Sequence, residues 1–241
     1  MEIKIFENEK ELIKEVAKIY VDLLNEKNNA TLGLATGSTP LGIYQELINL
    51  YNKNKIDFSN IKTFNLDEYC GLKQDDKNSY YSFMKENLFN HINIKKENIN
   101  FPSGEKDIEF ACKEYQNKLD NNIIDLQLLG IGRNGHIAFN EPNTSFNSHT
   151  HCVDLDEKTI NDNARFFNSI EEVPKKAITM GLKDIMNAKK IILVAIGDNK
   201  KEAIRKMVSG PITEELPASI LQNHDNVIVF LDKKAGSLLD V

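Results

Sequence analysis

Apolar residues recur at helical spacing from Leu12 to Leu24, through Ile13, Val16, Ala17, Ile19, Tyr20 and Leu23, and predict an amphipathic helix over residues 9–27. Short apolar runs follow at Ala30–Ala35, Ile61–Leu66, Ile123–Ile131, Ala177–Met180, Lys190–Ile196 and Val227–Leu231. Helix-like stretches separate most of them, near 41–53, 79–90, 107–121, 198–209 and 232–239. Strand alternating with helix predicts an α/β fold, a mostly parallel sheet with helices on both faces in a Rossmann-like, modified doubly wound arrangement. No internal repeat, linker or shift in composition marks a second domain, so residues 1–241 are read as one. The stretch 143–176 interrupts the alternation and is read as a flap or lid.

Open α/β sheets bind ligands beyond the carboxyl ends of their strands. Four polar loops fall at such ends: Thr36-Gly37-Ser38-Thr39-Pro40, Asp67-Glu68-Tyr69, Gly130 to Glu141, and Gly197-Asp198-Asn199-Lys200. In the first, Gly37, Ser38 and Thr39 offer hydroxyls and free backbone N–H groups. Thr39 as cap and Pro40 as first helical residue would start a helix whose N-terminus attracts an anion. The triphosphate-cradling G-x-x-x-x-G-K-[ST] is absent, so a single phosphate monoester fits better. Lys200 and Arg165 are the cations placed to complete such a site. Asp67 and Glu68 follow an apolar strand directly, and a carboxylate buried beside a ligand becomes a useful base near neutral pH. The loop LLGIGRNGHIAFNEP is the richest, setting Asn134, His136, Asn140 and Glu141 within eight residues. A histidine and an acid on one glycine-rich loop form a plausible proton-transfer pair.

Composition narrows the class. With 41% hydrophobic and 27% charged residues and a net charge of −6, the chain reads as an ordinary globular protein without the basic face of a nucleic-acid binder. MEIKIFENEK lacks the apolar core of a signal peptide, and no run approaches the length of a membrane span. Cys70, Cys112 and Cys152 are odd in number and scattered, which suits free thiols in a reducing cytoplasm. Gly130, Gly132 and Gly135 satisfy G-x-G-x-x-G with Asp154 downstream, but a dinucleotide site needs a helix opening straight after the glycines. HIAFNEPNTSF shows no amphipathic repeat, and Pro142 breaks any helix. Asp67, Glu68, Asp75 and Asp76 lack Ca²⁺-loop spacing, and His149, His151 and Cys152 leave a zinc site short of a ligand. The missing G-x-S-x-G elbow argues against acyl transfer.

ATGSTPLGIYQEL, TFNLDEYCGL, SYYSFM, LLGIGRNGHIAFNEP, ARFF and VPKKAITMG together resemble the glucosamine-6-phosphate deaminases, collinearly and over essentially the whole chain. The related 6-phosphogluconolactonases share the fold and a similar glycine-histidine loop but typically lack the FNEP continuation. The resemblance implies conversion of glucosamine 6-phosphate and water to fructose 6-phosphate and ammonia without metal or cofactor. It implies Asp67 as the base moving a proton from C2 to C1, and His136, supported by Glu141 and Asn134, as the ring-opening group. Gly37, Ser38, Thr39, Arg165 and Lys200 match the phosphate-binding positions. Some members carry an aspartate where this chain has Asn134, so Glu141 is expected to give His136 most of its electrostatic support. Allosteric hexameric members use basic residues after FNEP, where this chain has His151 and Val153; a non-allosteric monomer or weak homo-oligomer is expected. The rival readings are a lactonase using the same histidine and a non-catalytic sugar-phosphate sensor. A sensor would need an output module, and none is evident.

Overall fold

Both faces of the main sheet are buried, and the strands alternate between them. Along Ile191–Ala195, residues Ile191, Leu193 and Ala195 enter one apolar cluster and Ile192 and Val194 the other. Val227–Asp232 behaves likewise, with Val227, Val229 and Leu231 on one side and Ile228 and Phe230 on the opposite side. Such two-sided burial is why these strands read as continuous apolar runs. The computed structural model describes residues 1–156, 160–161, 164, 167 and 169–239.

In chain order the elements are β1 (Glu2–Phe6), α1 (Glu9–Glu26), β2 (Thr31–Leu34), α2 (Leu41–Asn52), β3 (Lys62–Asn65), β4 (Asp67–Tyr69), α3 (Tyr80–Asn87), β5 (Ile99–Asn100) and α4 (Ile108–Asp120). They continue with β6 (Leu126–Leu129), β7 (His151–Asp154), β8 (Lys176–Thr179), α5 (Leu182–Met186), β9 (Ile191–Ala195), α6 (Lys201–Ser209) and β10 (Val227–Asp232). Seven strands pair in parallel in the order β1-β10-β9-β6-β2-β3-β5. Leu12, Val16 and Tyr20 of α1, Ile43 and Leu47 of α2, and Met84 of α3 cover one face. Tyr115 of α4, Ile185 of α5, and Ile204 and Met207 of α6 cover the other. The α/β expectation holds, with helices on both sides. Among the described residues no helix is long and apolar enough to cross a membrane.

The structure adds one strand and corrects two expectations. The N-terminal EIKIF forms β1, a half-exposed edge strand beside β10 whose weak burial left little apolar signal. Residues 232–239 are not helical: Asp232 Oδ1 accepts from the N–H groups of Ala235 (2.8 Å) and Gly197 (3.0 Å), and this side-chain bonding stops β10 in a series of turns. Ala177–Met180 contributes β8, which lies in a separate three-stranded antiparallel sheet, β4-β8-β7. Its strand β7 lies inside the stretch 143–176.

At the opposite end of the sheet from the polar loops, buried Asp125 ties α1, β2 and β9 together. Its carboxylate accepts from Lys27 Nζ (2.7 and 2.9 Å), Lys189 Nζ (2.9 Å) and the Thr31 N–H (2.8 Å). Burial raises its pKa, but these hydrogen bonds outweigh burial and leave it below the usual carboxylate value. A depressed value contributes stability that is complete above the unfolded-chain pKa near 3.8 and is lost as pH falls through the lowered folded value. Asp125→Ala strands the Thr31 N–H and is expected to destabilise the fold by about 1–3 kcal/mol. A lower urea midpoint at unchanged m-value checks this at neutral pH.

Candidate active site

From β2 the chain runs outward to β3 and β5, then returns to β6 on β2's other side, so the sheet's direction of winding switches between β2 and β6. A crevice opens at the carboxyl ends of strands flanking such a point. Here it is a cavity of about 840 Å³, lined by Thr36 to Pro40 after β2, Asp67 of β4, Gly130 to Asn134 and His136 after β6, and Lys200 after β9. All four polar loops singled out in the sequence contribute to this one cavity.

The first loop supplies Gly37, Ser38 and Thr39. Gly37 has φ +91° in open space, a left-handed conformation that glycine adopts without steric cost and that lets the loop turn over the cavity. The helix start differs from expectation. Pro40 is the cap, α2 begins at Leu41, and no side chain caps it. The α2 N-terminus therefore keeps backbone donors for an anion.

His136 is held by the tight turn of its own loop. Gly132 N–H donates to the His136 carbonyl (2.8 Å), and Gly135 N–H to the Gly132 carbonyl (3.1 Å). A Cβ on Gly132 would fall 2.4 Å from the imidazole, so only glycine lets the ring lie against the backbone there. Glu141 Oε1 lies 3.3 Å from His136 Nδ1, and Glu141 Oε2 accepts from Asn134 Nδ2 (2.6 Å). Asn134 Oδ1 accepts, at 3.3 Å, from the backbone N–H of His136 and not from the ring. The acid facing the imidazole is Glu141, with Asn134 bracing that acid.

Asp67 is buried at 6% exposure. Burial, then the neighbouring Glu68 charge, push its carboxyl up to about 8. Its strand is fixed by the small antiparallel sheet. Asp67 pairs with Thr179 of β8, and Thr179 Oγ1 accepts from the Phe139 N–H (3.1 Å). Met180 N–H donates to the Leu66 carbonyl (2.7 Å), and Asn140 Nδ2 donates to the Met180 carbonyl (2.9 Å). One strand thus locks the loop bearing His136 to the strand bearing Asp67. A buried carboxyl and a histidine backed by a glutamate, on separate supports and with Asp67 and His136 both lining one cavity, can serve two proton transfers on a single substrate.

Arg165 lies outside the described residues. Tyr80, Asp156 and Asn161 also line the cavity and were not singled out from the sequence, as Asn199 was with its loop. Tyr80 could have been found, since it stands in the SYYSFM motif; nothing local marked Asp156 or Asn161. Asp154, the acid of the dinucleotide reading, is exposed and pairs with Lys176 (3.5 Å). His149 Nδ1 lies 2.7 Å from Asp184 Oδ1. The three scattered cysteines come close enough to influence one another. Burial, then the neighbouring Cys152 thiol, push Cys70 up to about 12 and Cys112 up to about 11, which suits inert thiols.

Residues 7–230 match the family model described as glucosamine-6-phosphate isomerases/6-phosphogluconolactonase. The chain is 58% identical to a glucosamine-6-phosphate deaminase of Clostridium novyi (strain NT), covering 99% of this chain and 100% of the relative. It is 54% identical to one of Clostridium botulinum (strain Kyoto / Type A2), over the full length of both. Among solved structures, a monomeric glucosamine-6-phosphate deaminase superposes with a TM-score of 0.96 at 47% identity, covering 99% of this chain and 100% of that one. A 6-phosphogluconolactonase from Thermotoga maritima shares the fold, with a TM-score of 0.79 at 20% identity over 96% of this chain and 99% of that one.

Proposed function

The chain belongs to the family of glucosamine-6-phosphate isomerases and 6-phosphogluconolactonases, and we propose that it converts glucosamine 6-phosphate and water to fructose 6-phosphate and ammonia in amino-sugar catabolism. Full-length relatives bearing the deaminase name support this reading. The observation that carries it is the pair of separate acid–base centres on one cavity, Asp67 on β4 and His136 with Glu141 on the loop after β6. Lactone hydrolysis asks for one base, whereas deamination by isomerisation asks for two.

The C2 hydrogen of a cyclic aminosugar becomes acidic only once ring opening exposes an aldehyde at C1. His136 takes the proton of the anomeric hydroxyl and returns one to the ring oxygen, with Glu141 stabilising the imidazolium between the two transfers. Asp67 then removes the C2 proton and delivers it to C1, while a proton leaves the C2 ammonium for the C1 oxygen, so that C1 becomes an alcohol and C2 an imine. Water adds to that imine, the C–N bond breaks, and fructose 6-phosphate and ammonia result. Gly37, Ser38 and Thr39 with the α2 N-terminus, together with Lys200 and Arg165, take the phosphate. The stretch 143–176 acts as a lid, a role supported by Asp156 and Asn161 on the cavity wall. A monomer or weak homo-oligomer in the cytoplasm, working without nucleic-acid or membrane partners, completes the proposal; the solved monomeric deaminase supports the oligomeric part.

The test sets glucosamine 6-phosphate against 6-phosphogluconolactone at equal concentration. Turnover of the aminosugar alone is expected. Hydrolysis of the lactone alone would make the protein a lactonase, and binding of either compound without turnover would make it a sensor.

A further inference from the structure

Glu68 is an acid among backbone donors. It is 3% exposed, and among the described residues the hydrogen bonds that hold it come from backbone N–H groups. Its Oε1 accepts from the N–H groups of Tyr69 and Tyr80, both at 2.9 Å, and its Oε2 accepts from the Tyr81 N–H at 3.0 Å. Tyr80 and Tyr81 open helix α3, so the carboxylate joins β4 to the first turn of that helix, where a negative charge is favoured. Each element carries a wall of the cavity: Asp67 belongs to β4 and Tyr80 to α3. The Tyr80 ring stacks on Phe139 at an interplanar angle of 12°, and its hydroxyl lies 3.2 Å from that of Tyr69.

We propose that Glu68 is a positioning residue for the C2-to-C1 proton transfer, clamping the strand of Asp67 to the helix of Tyr80. The proposal rests on the deaminase reading above. An ordinary helix cap would need no acid next to the catalytic base, since Ser79 already caps α3 by accepting from the Ser82 N–H (3.0 Å). A carboxylate holding three N–H groups is favoured in its ionised form, because each donor meets a lone pair and no proton intervenes. Burial nevertheless pushes Glu68 up to about 7, opposed by the hydrogen bonds from Tyr80, Tyr81 and Tyr69, with Asp76 adding a smaller upward push. The negative charge of an ionised Glu68 disfavours ionisation of its neighbour Asp67. Of the other groups around Asp67, Tyr69, Tyr80 and Tyr115 sense its charge, while His136, Lys200 and Asp156 share its cavity.

The test compares pH–rate profiles of the wild type, Glu68→Gln and Glu68→Asp. Glu68→Gln keeps the size but loses the charge and turns one of the two accepting oxygens into a donor; its kcat is expected to fall about 10–10²-fold, with KM for the sugar phosphate within about twofold. Its acid limb should move to lower pH, because Asp67 then ionises more easily. Glu68→Asp keeps the charge and loses the reach, so kcat should fall with the acid limb in place. A purely structural cap would lower stability in both variants without moving the limb, and that result overturns the proposal; so does near-wild-type kcat in Glu68→Gln. If the variants do not fold, ¹³C carboxyl titration of the wild type reads the same coupling: the Asp67 signal should respond as Glu68 ionises, and two independent curves overturn the idea. Inactive wild type on glucosamine 6-phosphate would instead sink the deaminase reading, independently of what the Glu68 variants show.

Discussion

Asp67→Asn is expected to lower turnover of glucosamine 6-phosphate by about 10²–10⁴-fold while the sugar phosphate still binds. The amide matches the carboxyl in shape, and the phosphate contacts lie on other loops, so the loss isolates proton transfer. In the wild type only ionised Asp67 can accept the C2 proton. With burial first and Glu68 second holding its pKa near 8, kcat/KM should rise as pH increases toward that value. The same shift acts on stability in the opposite sense. The folded value stands above the unfolded 3.8, so the folded chain holds the proton more tightly between the two, and stability falls as pH rises through that window. Asp67→Asn removes this penalty and should stabilise the protein at pH 8 by roughly 1–2 kcal/mol, a common gain when a costly functional group is removed. Calorimetric melts of both proteins at pH 5 and pH 8 check it, and the gain should be larger at pH 8. Near-normal ammonia release by Asp67→Asn would remove Asp67 from the mechanism.

Glu141→Gln is expected to lower kcat/KM by about 10²-fold, the second-largest effect, because Glu141 is the acid facing the His136 ring. Asn134 does not substitute for it, since its carbonyl is bonded to the His136 backbone and its amide to Glu141 itself. A glutamine keeps the size but cannot balance an imidazolium with full charge. The defect should be confined to ring opening. A reduced, permanently open-chain aminosugar phosphate should therefore bind the variant as it binds the wild type. Equal loss of affinity for the open-chain analogue would show that Glu141 shapes the whole cavity and does not serve His136 alone.

The main sheet was legible because β2, β6, β9 and β10 are buried on both faces and announce themselves as apolar runs. The ligand-binding end was legible for a related reason: glycines, hydroxyls and acids stand just where those runs stop. The small sheet was not. β4 is three residues long, and its partner β8 follows more than a hundred residues later, so no local periodicity connects Asp67 with Thr179. The clamp between the segments bearing Asp67 and His136 was therefore invisible until the chain was folded. Asn134 shows the same limit on a smaller scale, since residue type permits a bond to the imidazole and only geometry reveals that it goes to Glu141. Glu68 stood in the sequence as an acid with no assigned role, because its three partners are backbone groups. Tyr80 and Asp156 reach the cavity by tertiary packing alone.

The most direct test of the deaminase reading follows both products at once in ¹⁸O-labelled water, with no metal or nucleotide added and the ketose trapped by reduction as it forms. Hydrolysis of a C2 imine requires equimolar ammonia and fructose 6-phosphate, each ketose carrying one water-derived oxygen at C2. Ammonia without an equal amount of labelled fructose 6-phosphate, or neither product from folded protein that binds the sugar phosphate, would contradict it.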